Sequence, residues 1–416
     1  MREMKDSGIV WIGAIPKRWQ LSKIGSLYTQ RNEKVSDKEY QPLSVTMQGI
    51  LPQLATAAKT DDGDNRKLVR VGDFAINSRS DRRGSCGISP LDGSVSLINI
   101  ILTPRTAMHP GYYNWLFHTT LFADEFYKWG HGIVADLWTT RWQEMKSITV
   151  PVPEYAEQER IAAFLDAECA EIDAVLEKTR ASIEEYKKLK QAVITQAVTK
   201  GVCGDRPMKD SGIEWIGDIP AEWEVVPFSK FARVSANLVN PSDYQDYLQV
   251  SPENIEKDSG KLLPCKTVSE VGVESWNHLF HKGQILYSKI RPKLNKVCIA
   301  PFDGLCSADM YPIDTDNVSK FVVYTMLSND FYQQVAMITE NRVKMPKINQ
   351  KELSKLIVVL PANRMEQQEI VDYLDDKCGR IDALIVKKQQ YLTEIENYKK
   401  SLIYEYVTGK KEVHPL

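Results

Sequence analysis

At 416 residues the chain exceeds what one ordinary hydrophobic core organises, so two to three domains are expected. Its composition, 43% hydrophobic and 26% charged with a mean hydropathy of −0.34, is that of a globular chain and excludes a fibrous or disordered one. The formal net charge of −2 is not that of a strongly basic nucleic-acid binder, so any such role rests on cations gathered locally.

The opening MREMKDSG has no apolar signal core, and no apolar run approaches the roughly 18 residues that span a bilayer. A cytoplasmic protein is expected. The segment Met4–Trp19, MKDSGIVWIGAIPKRW, returns at Met208–Trp223 as MKDSGIEWIGDIPAEW, with twelve of sixteen positions identical. A match of that length marks an internal duplication. Trp11, Ile12, Ile15 and Trp19 give the segment enough apolar surface to dock on another element.

Residues 20–150 read as a mixed α/β region. Leu68–Ile76, which contains Gly72, looks like a strand, Tyr112–Lys128 like an aromatic-rich helix, and Ser147–Val152 like a closing strand. Glu157–Thr199 then has neither proline nor glycine, with Pro151 and Pro153 before it and Gly201 after it, which predicts one long helix. Its apolar positions step by four and three through Leu165, Cys169, Ile172, Leu176, Thr179, Ile183, Tyr186, Lys190, Val193 and Ala197, a stripe of period 3.5 weakened at Thr179 and Lys190.

After the second copy of the opening segment, residues 224–360 repeat the plan. Gln284–Tyr287 follows Gly283 as a strand, Lys320–Val335 is helical, and Leu356–Leu360 closes. Glu366–Thr408 aligns without gaps to Glu157–Thr199, with fifteen of 43 pairs identical. Lys399 interrupts the second stripe where Lys190 interrupts the first, and the adjoining Leu189 and Tyr398 are expected to take over the contact. A helix of 43 residues is about 64 Å long and needs a partner for its stripe. The other copy is the natural one, paired antiparallel. Four parts follow: a recognition-type domain with the repeat segment over 1–153, a long central helix over 154–203, a second domain with its own repeat segment over 204–362, and a C-terminal long helix over 363–416. The fold class expected is α+β, two mixed α/β domains separated by two long antiparallel coiled-coil helices in a pseudo-two-fold repeat.

Chemistry-bearing motifs are absent. There is no G-x-x-x-x-G-K-[ST] phosphate loop, no H-E-x-x-H and no G-x-S-x-G. The seven cysteines contain no C-x-x-C pair and read as reduced, mostly buried thiols. His278 and His281, three apart, suggest a shared helix face, but nothing joins them as ligands, and a surface pair is expected. No metal or catalytic site is assigned.

Cations gather instead on loops at matching places in both halves. The first half has Arg79, Arg82 and Arg83 after a predicted strand, then His131, Trp138 and Arg141 before the closing strand. The second has Lys289, Arg291, Lys293 and Lys296, then Asn341, Arg342, Lys344 and Lys347. Arg and Lys on loops neutralise phosphates, and Arg and Asn also read base edges bidentately. These fourteen residues are the candidate DNA contacts.

The order of these strings resembles one family. MKDSGIxWIGxIPxxW, then Val150–Ile161 with Glu157-Gln158, then Ile172-Asp173-Ala174 and Val198-Thr199-Lys200-Gly201, is similar to the specificity subunits of type I restriction-modification enzymes. The second copy repeats Glu366-Gln367, Ile381-Asp382-Ala383 and Val407-Thr408, and departs in having Gly409-Lys410 at its end. The resemblance covers essentially the whole chain. It implies two target recognition domains, each reading half of a split double-stranded DNA site, on a subunit without catalytic activity. It also implies two methyltransferase subunits and restriction/translocase subunits as partners, with S-adenosylmethionine, ATP and Mg on those partners and no cofactor on this chain. The alternative left by the residues is a scaffold that organises partner proteins through paired helices without binding nucleic acid.

Overall fold

The computed structural model describes residues 2–53, 63–132, 138–342 and 344–413. The chain divides into two compact units, residues 1–180 with 390–416, and residues 181–389. It is mixed α/β with two long helices, as the sequence predicts.

In unit 1 the repeat segment is a hairpin, Met4–Asp6 with Ala14–Pro16, followed by a strand Gln20–Lys23 that pairs with the closing strand Thr149–Val152. Between them lies a four-stranded sheet in the order Cys86–Ile88, Phe74–Asn77, Asn99–Pro104, Tyr28–Arg31. The stretch 68–76, expected as one strand, is two: Arg66–Val69 and Phe74–Asn77, in different sheets. Gly72, at φ +86°, makes the turn between them that an L side chain resists. The helix expected over Tyr112–Lys128 is also two, Pro110–Phe117 and Thr120–Lys128, because the Thr119 hydroxyl caps the second by accepting from the Phe122 N–H at 3.2 Å.

Unit 2 has the same four-stranded order: Val297–Ile299, Ile285–Ser288, Met310–Asp314, Arg233–Val234. Its helical stretch breaks the same way, into Ser319–Leu327 and Asn329–Thr339, with Ser328 as the cap. Its repeat segment forms the hairpin Met208–Asp210 with Asp218–Pro220, and Glu224–Pro227 pairs with Ile357–Leu360. His278 lies on the strand Asn277–Phe280, not on a helix, and is buried, so the expected surface pair with His281 is not formed. His281 lies just past the end of that strand and is exposed.

The long helices run Tyr155–Lys200 and Arg364–Val407. Each is followed within two residues by a glycine in the left-handed region, Gly201 at φ +77° and Gly409 at +74°. Every residue of the two predicted stripes is buried or half-buried. The stripe lysines are handled differently from the expectation. In unit 1 the Lys399 Nζ meets the Asp173 carboxylate at 2.6 Å, and in unit 2 the Lys190 Nζ meets Asp382 at 2.8 Å. Leu189 and Tyr398 take over nothing and stand 50% and 54% exposed. A lysine carries its stem along apolar surface while its ammonium reaches a carboxylate. The repeated Asp173/Asp382 therefore answers the repeated Lys190/Lys399.

The repeat segment docks where the next long helix begins and where a long helix ends. In unit 1 the Glu157 carboxylate, in the first turn of its helix, accepts from the Trp19 indole at 2.9 Å and from Arg2 at 2.6 Å. The Tyr404 hydroxyl donates to the carbonyl of Ile12 at 3.0 Å. In unit 2 Glu366 takes the Trp223 indole at 2.9 Å and the Arg206 guanidinium. The following glutamines complete the joint. Gln158 accepts the backbone N–H of His109, and Gln367 that of Val318, each just before a domain helix. The repeated Glu-Gln pair is therefore a structural anchor.

Candidate nucleic-acid interface

In unit 1 the two loops singled out by sequence come together. Arg79 and Thr139 form an antiparallel bridge, as do His131 and Thr139, and the Ser80 N–H donates to the Trp138 carbonyl at 3.0 Å. Tyr127, which carries no motif, ties them. Its hydroxyl donates to the carbonyls of Asn77 (3.1 Å) and Arg82 (3.2 Å), and its own carbonyl accepts the Trp138 indole N–H at 2.9 Å. Burial pushes that hydroxyl's pKa up, so it remains a donor. Gly130 is obligatory here, since a Cβ would lie 2.1 Å from the Trp138 ring. Arg79, Arg82, Arg83, His131 and Arg141 are exposed at the surface of this joined pair of loops. Arg83 is paired with Asp124, and Arg82 lies 3.6 Å from Asp81. Residues 133–137, in the middle of the second loop, lie outside the described residues.

Unit 2 joins its two loops at the corresponding place in the sheet order. Ile290 bridges Lys347, the Arg291 N–H donates to the Pro346 carbonyl at 2.8 Å, and the Ile348 N–H to the Lys289 carbonyl at 2.9 Å. Arg291, Lys293, Asn341, Lys344 and Lys347 are exposed. Lys289 is half-buried with its Nζ 5.3 Å from the centre of the Tyr311 ring, and the Lys296 Nζ donates to the Pro252 carbonyl at 2.6 Å. Lys347 meets Asp309 at 3.0 Å. Arg342 is spent inside the loop: its guanidinium grips both oxygens of Glu352 and the Lys347 carbonyl. That grip holds the Glu352 carboxyl below its ordinary range. Val343 lies outside the described residues.

Among the described residues, four that are not glycine have positive φ: Asp258, Arg291, Asn295 and Met345. Three of them sit in the two joined loops of unit 2. Strained backbone persists where the surroundings over-determine it, and such residues cluster at functional surfaces. The arrangement can present cations and amides to an extended polyanion. Loop convergence was not legible in the sequence, because bridges between positions some sixty residues apart leave no local signal.

Residues 222–396 match the family described as the type I restriction modification DNA specificity domain. The chain is 33% identical over 286 residues to the Escherichia coli type I restriction enzyme EcoDI specificity subunit, covering 64% of this chain and 63% of that protein. It is 21% identical over 288 residues to the E. coli EcoBI specificity subunit, covering 64% and 59%. The matched stretch thus spans under two thirds of each relative's length. Among solved structures, a chain from a type I R-M system shares the fold at TM-score 0.73 and 14% identity, covering 95% of this chain and 99% of that one. The HsdS subunit of Thermoanaerobacter tengcongensis is similar at TM-score 0.50 and 15% identity, covering 95% and 98%. The repeated strings, the match to the specificity domain over residues 222–396 and the shared fold agree in likening the chain to type I restriction-modification specificity subunits.

Proposed function

We propose that this chain is the DNA-reading subunit of a type I restriction-modification complex and recognises a bipartite double-stranded site, one half through each unit. The observation that carries the reading is the convergence of two cation-bearing loops at the same place in the sheet order of both units. In unit 1 the contacts are assigned to Arg79, Arg82, Arg83, His131, Trp138 and Arg141. In unit 2 they are assigned to Lys289, Arg291, Lys293, Lys296, Asn341, Lys344 and Lys347, with Arg342 holding the loop in shape.

The long helices act in this reading as an antiparallel coiled-coil spacer within a pseudo-two-fold repeat. In support, partners run in opposite directions along the two helices in unit 1, Asp173 with Lys399 and Arg180 with Glu396, and unit 2 repeats the stripe pairing with Lys190 and Asp382. The domains are taken as 1–153 and 204–362, with the spacer helices over 154–203 and 363–416. The subunit performs no chemistry itself and recruits methyltransferase and restriction subunits, which bring S-adenosylmethionine, ATP and Mg. It works in the cytoplasm; among the described residues no helix is long and apolar enough to cross a membrane. The match to a DNA specificity domain favours this reading over a scaffold without nucleic acid.

The test is to map adenine methylation in cells carrying the complete system, with and without Arg79→Ala and Arg291→Ala. Two separated half-sites, each altered by one variant only, are expected. Methylation that ignores both variants, or a continuous site, overturns the assignment.

A further inference from the structure

Unit 2 contains an open cleft of about 560 Å³ between the first long helix and its own loops. One wall is helical, with Lys187, Lys188 and Lys190. The cleft is also lined by Lys257 and Lys261, from the loop over residues 251–265, and by Lys293 from the candidate recognition loop. Six lysines thus face four carboxylates in a chain whose net charge is −2. Three of those carboxylates are already engaged. Glu184 holds Lys187 at 2.7 Å, Asp382 holds Lys190 at 2.8 Å with Lys261 at 3.5 Å, and Asp258 lies 3.6 Å from Lys257. The surplus is positive and carried wholly by lysine, a compact point charge suited to phosphate and poor at reading base edges.

The cleft is also one-sided in sequence. Lys187 and Lys188 align, in the second long helix, with Glu396 and Asn397, which belong to unit 1. There Glu396 is paired with Arg180 at 2.7 Å. The two copies therefore share the stripe Lys-Asp pairs and differ at these cations. Asp258 and Asn295, two of the residues with positive φ, line the cleft as well, so its loop wall is held in a set shape.

We propose that this cleft grips the sugar-phosphate backbone of the DNA next to the half-site read by unit 2, in the stretch whose bases go unread. The inference rests on the DNA-reading function above. It makes the non-specific grip of the subunit unequal, stronger on the side of the second unit.

The experiment uses the full chain assembled with its methyltransferase subunits. The double variant Lys187→Glu/Lys188→Asn gives the first helix the residues found in the second. Binding to a cognate duplex is titrated across a salt series. The expected result is a salt slope lower by about 1.8, since each lost phosphate contact removes about 0.9. The same fall is expected with a duplex altered in either half-site, and in phosphate-ethylation interference the signal beside the second half-site disappears while the first is unchanged. An unchanged slope overturns the inference. So does a loss confined to cognate DNA, or weakened assembly with the partner subunits at unchanged DNA slope, which would give the lysines to an acidic protein surface. If the unaltered complex shows no salt-dependent binding to DNA at all, the functional reading fails and the cleft's role with it.

Discussion

Removing the Glu157 carboxylate tests the joint between the repeat segment and the long helix. In Glu157→Ala the Trp19 indole, in a residue 1% exposed, loses its acceptor at 2.9 Å. Leaving a buried donor unpaired costs about 1–3 kcal/mol. Arg2 also loses its carboxylate at 2.6 Å but keeps the carbonyls of Gly409 and Lys411. Its share is therefore well below the ~3–5 kcal/mol of a fully buried broken pair, and we expect about 3 kcal/mol in total. For a unit of about 200 residues this lowers Tm by about 6–12 °C. Calorimetry of the full chain measures it, and hydrogen exchange should show Met4–Trp19 losing protection while unit 2 keeps its own. Burial pushes the Glu157 carboxyl up, but the bonds from Arg2 and Trp19 outweigh it and the net pKa is lowered. A lowered carboxylate stabilises fully above its unfolded value of about 4.3 and loses that stabilisation as pH falls through the folded one. Wild type and Glu157→Gln should therefore differ at neutral pH, and the difference should shrink as pH falls from about 4.3 through the lowered folded value. A loss under about 0.5 kcal/mol for the alanine variant, or a difference that grows in acid, would refute the reasoning.

The stripe ion pairs give a second expectation. Lys190→Met or Asp382→Leu alone should cost about 1–2 kcal/mol, because the pair is only partly buried, whereas both together should be neutral or stabilising by denaturant midpoint. Arg342→Ala and Glu352→Ala should each weaken DNA binding and combine non-additively in a double-mutant cycle, as members of one clamp do; additive losses would return Arg342 to the DNA. Arg291→Ala should cost about 1–3 kcal/mol of cognate affinity and relax one position if it reads a base, while Lys344→Ala should weaken all sequences alike in binding titrations. Inserting seven residues into each long helix, beside Arg180 and beside Glu396, keeps the period-3.5 stripe in register and adds about 10.5 Å. Methylation mapping should then show an unread gap about three base pairs longer, and an unchanged gap removes the spacer role.

Much of the chain was legible in order of residues. Duplication, the long helices and their stripes follow from identities and a period, because a helix repeats its environment every few positions and writes that repeat into the sequence. The broken helices were misjudged, since a single Thr119 or Ser328 hydroxyl decides between continuing and capping. The split at Gly72 has the same kind of cause: one residue in the left-handed region turns a run that is mostly apolar.

What the sequence by itself determined is the architecture of repetition: two like units, two like helices, and cations at matching loop positions. Only the tertiary structure decided what those cations face. It joined Arg79 to Thr139 and Ile290 to Lys347, turned Arg342 inward onto Glu352, and brought Lys187, Lys188 and Lys293 into one cleft. Local periodicity is encoded in neighbours along the chain, whereas the partner of a long charged side chain is set by which distant loop the fold brings within a few ångströms of it.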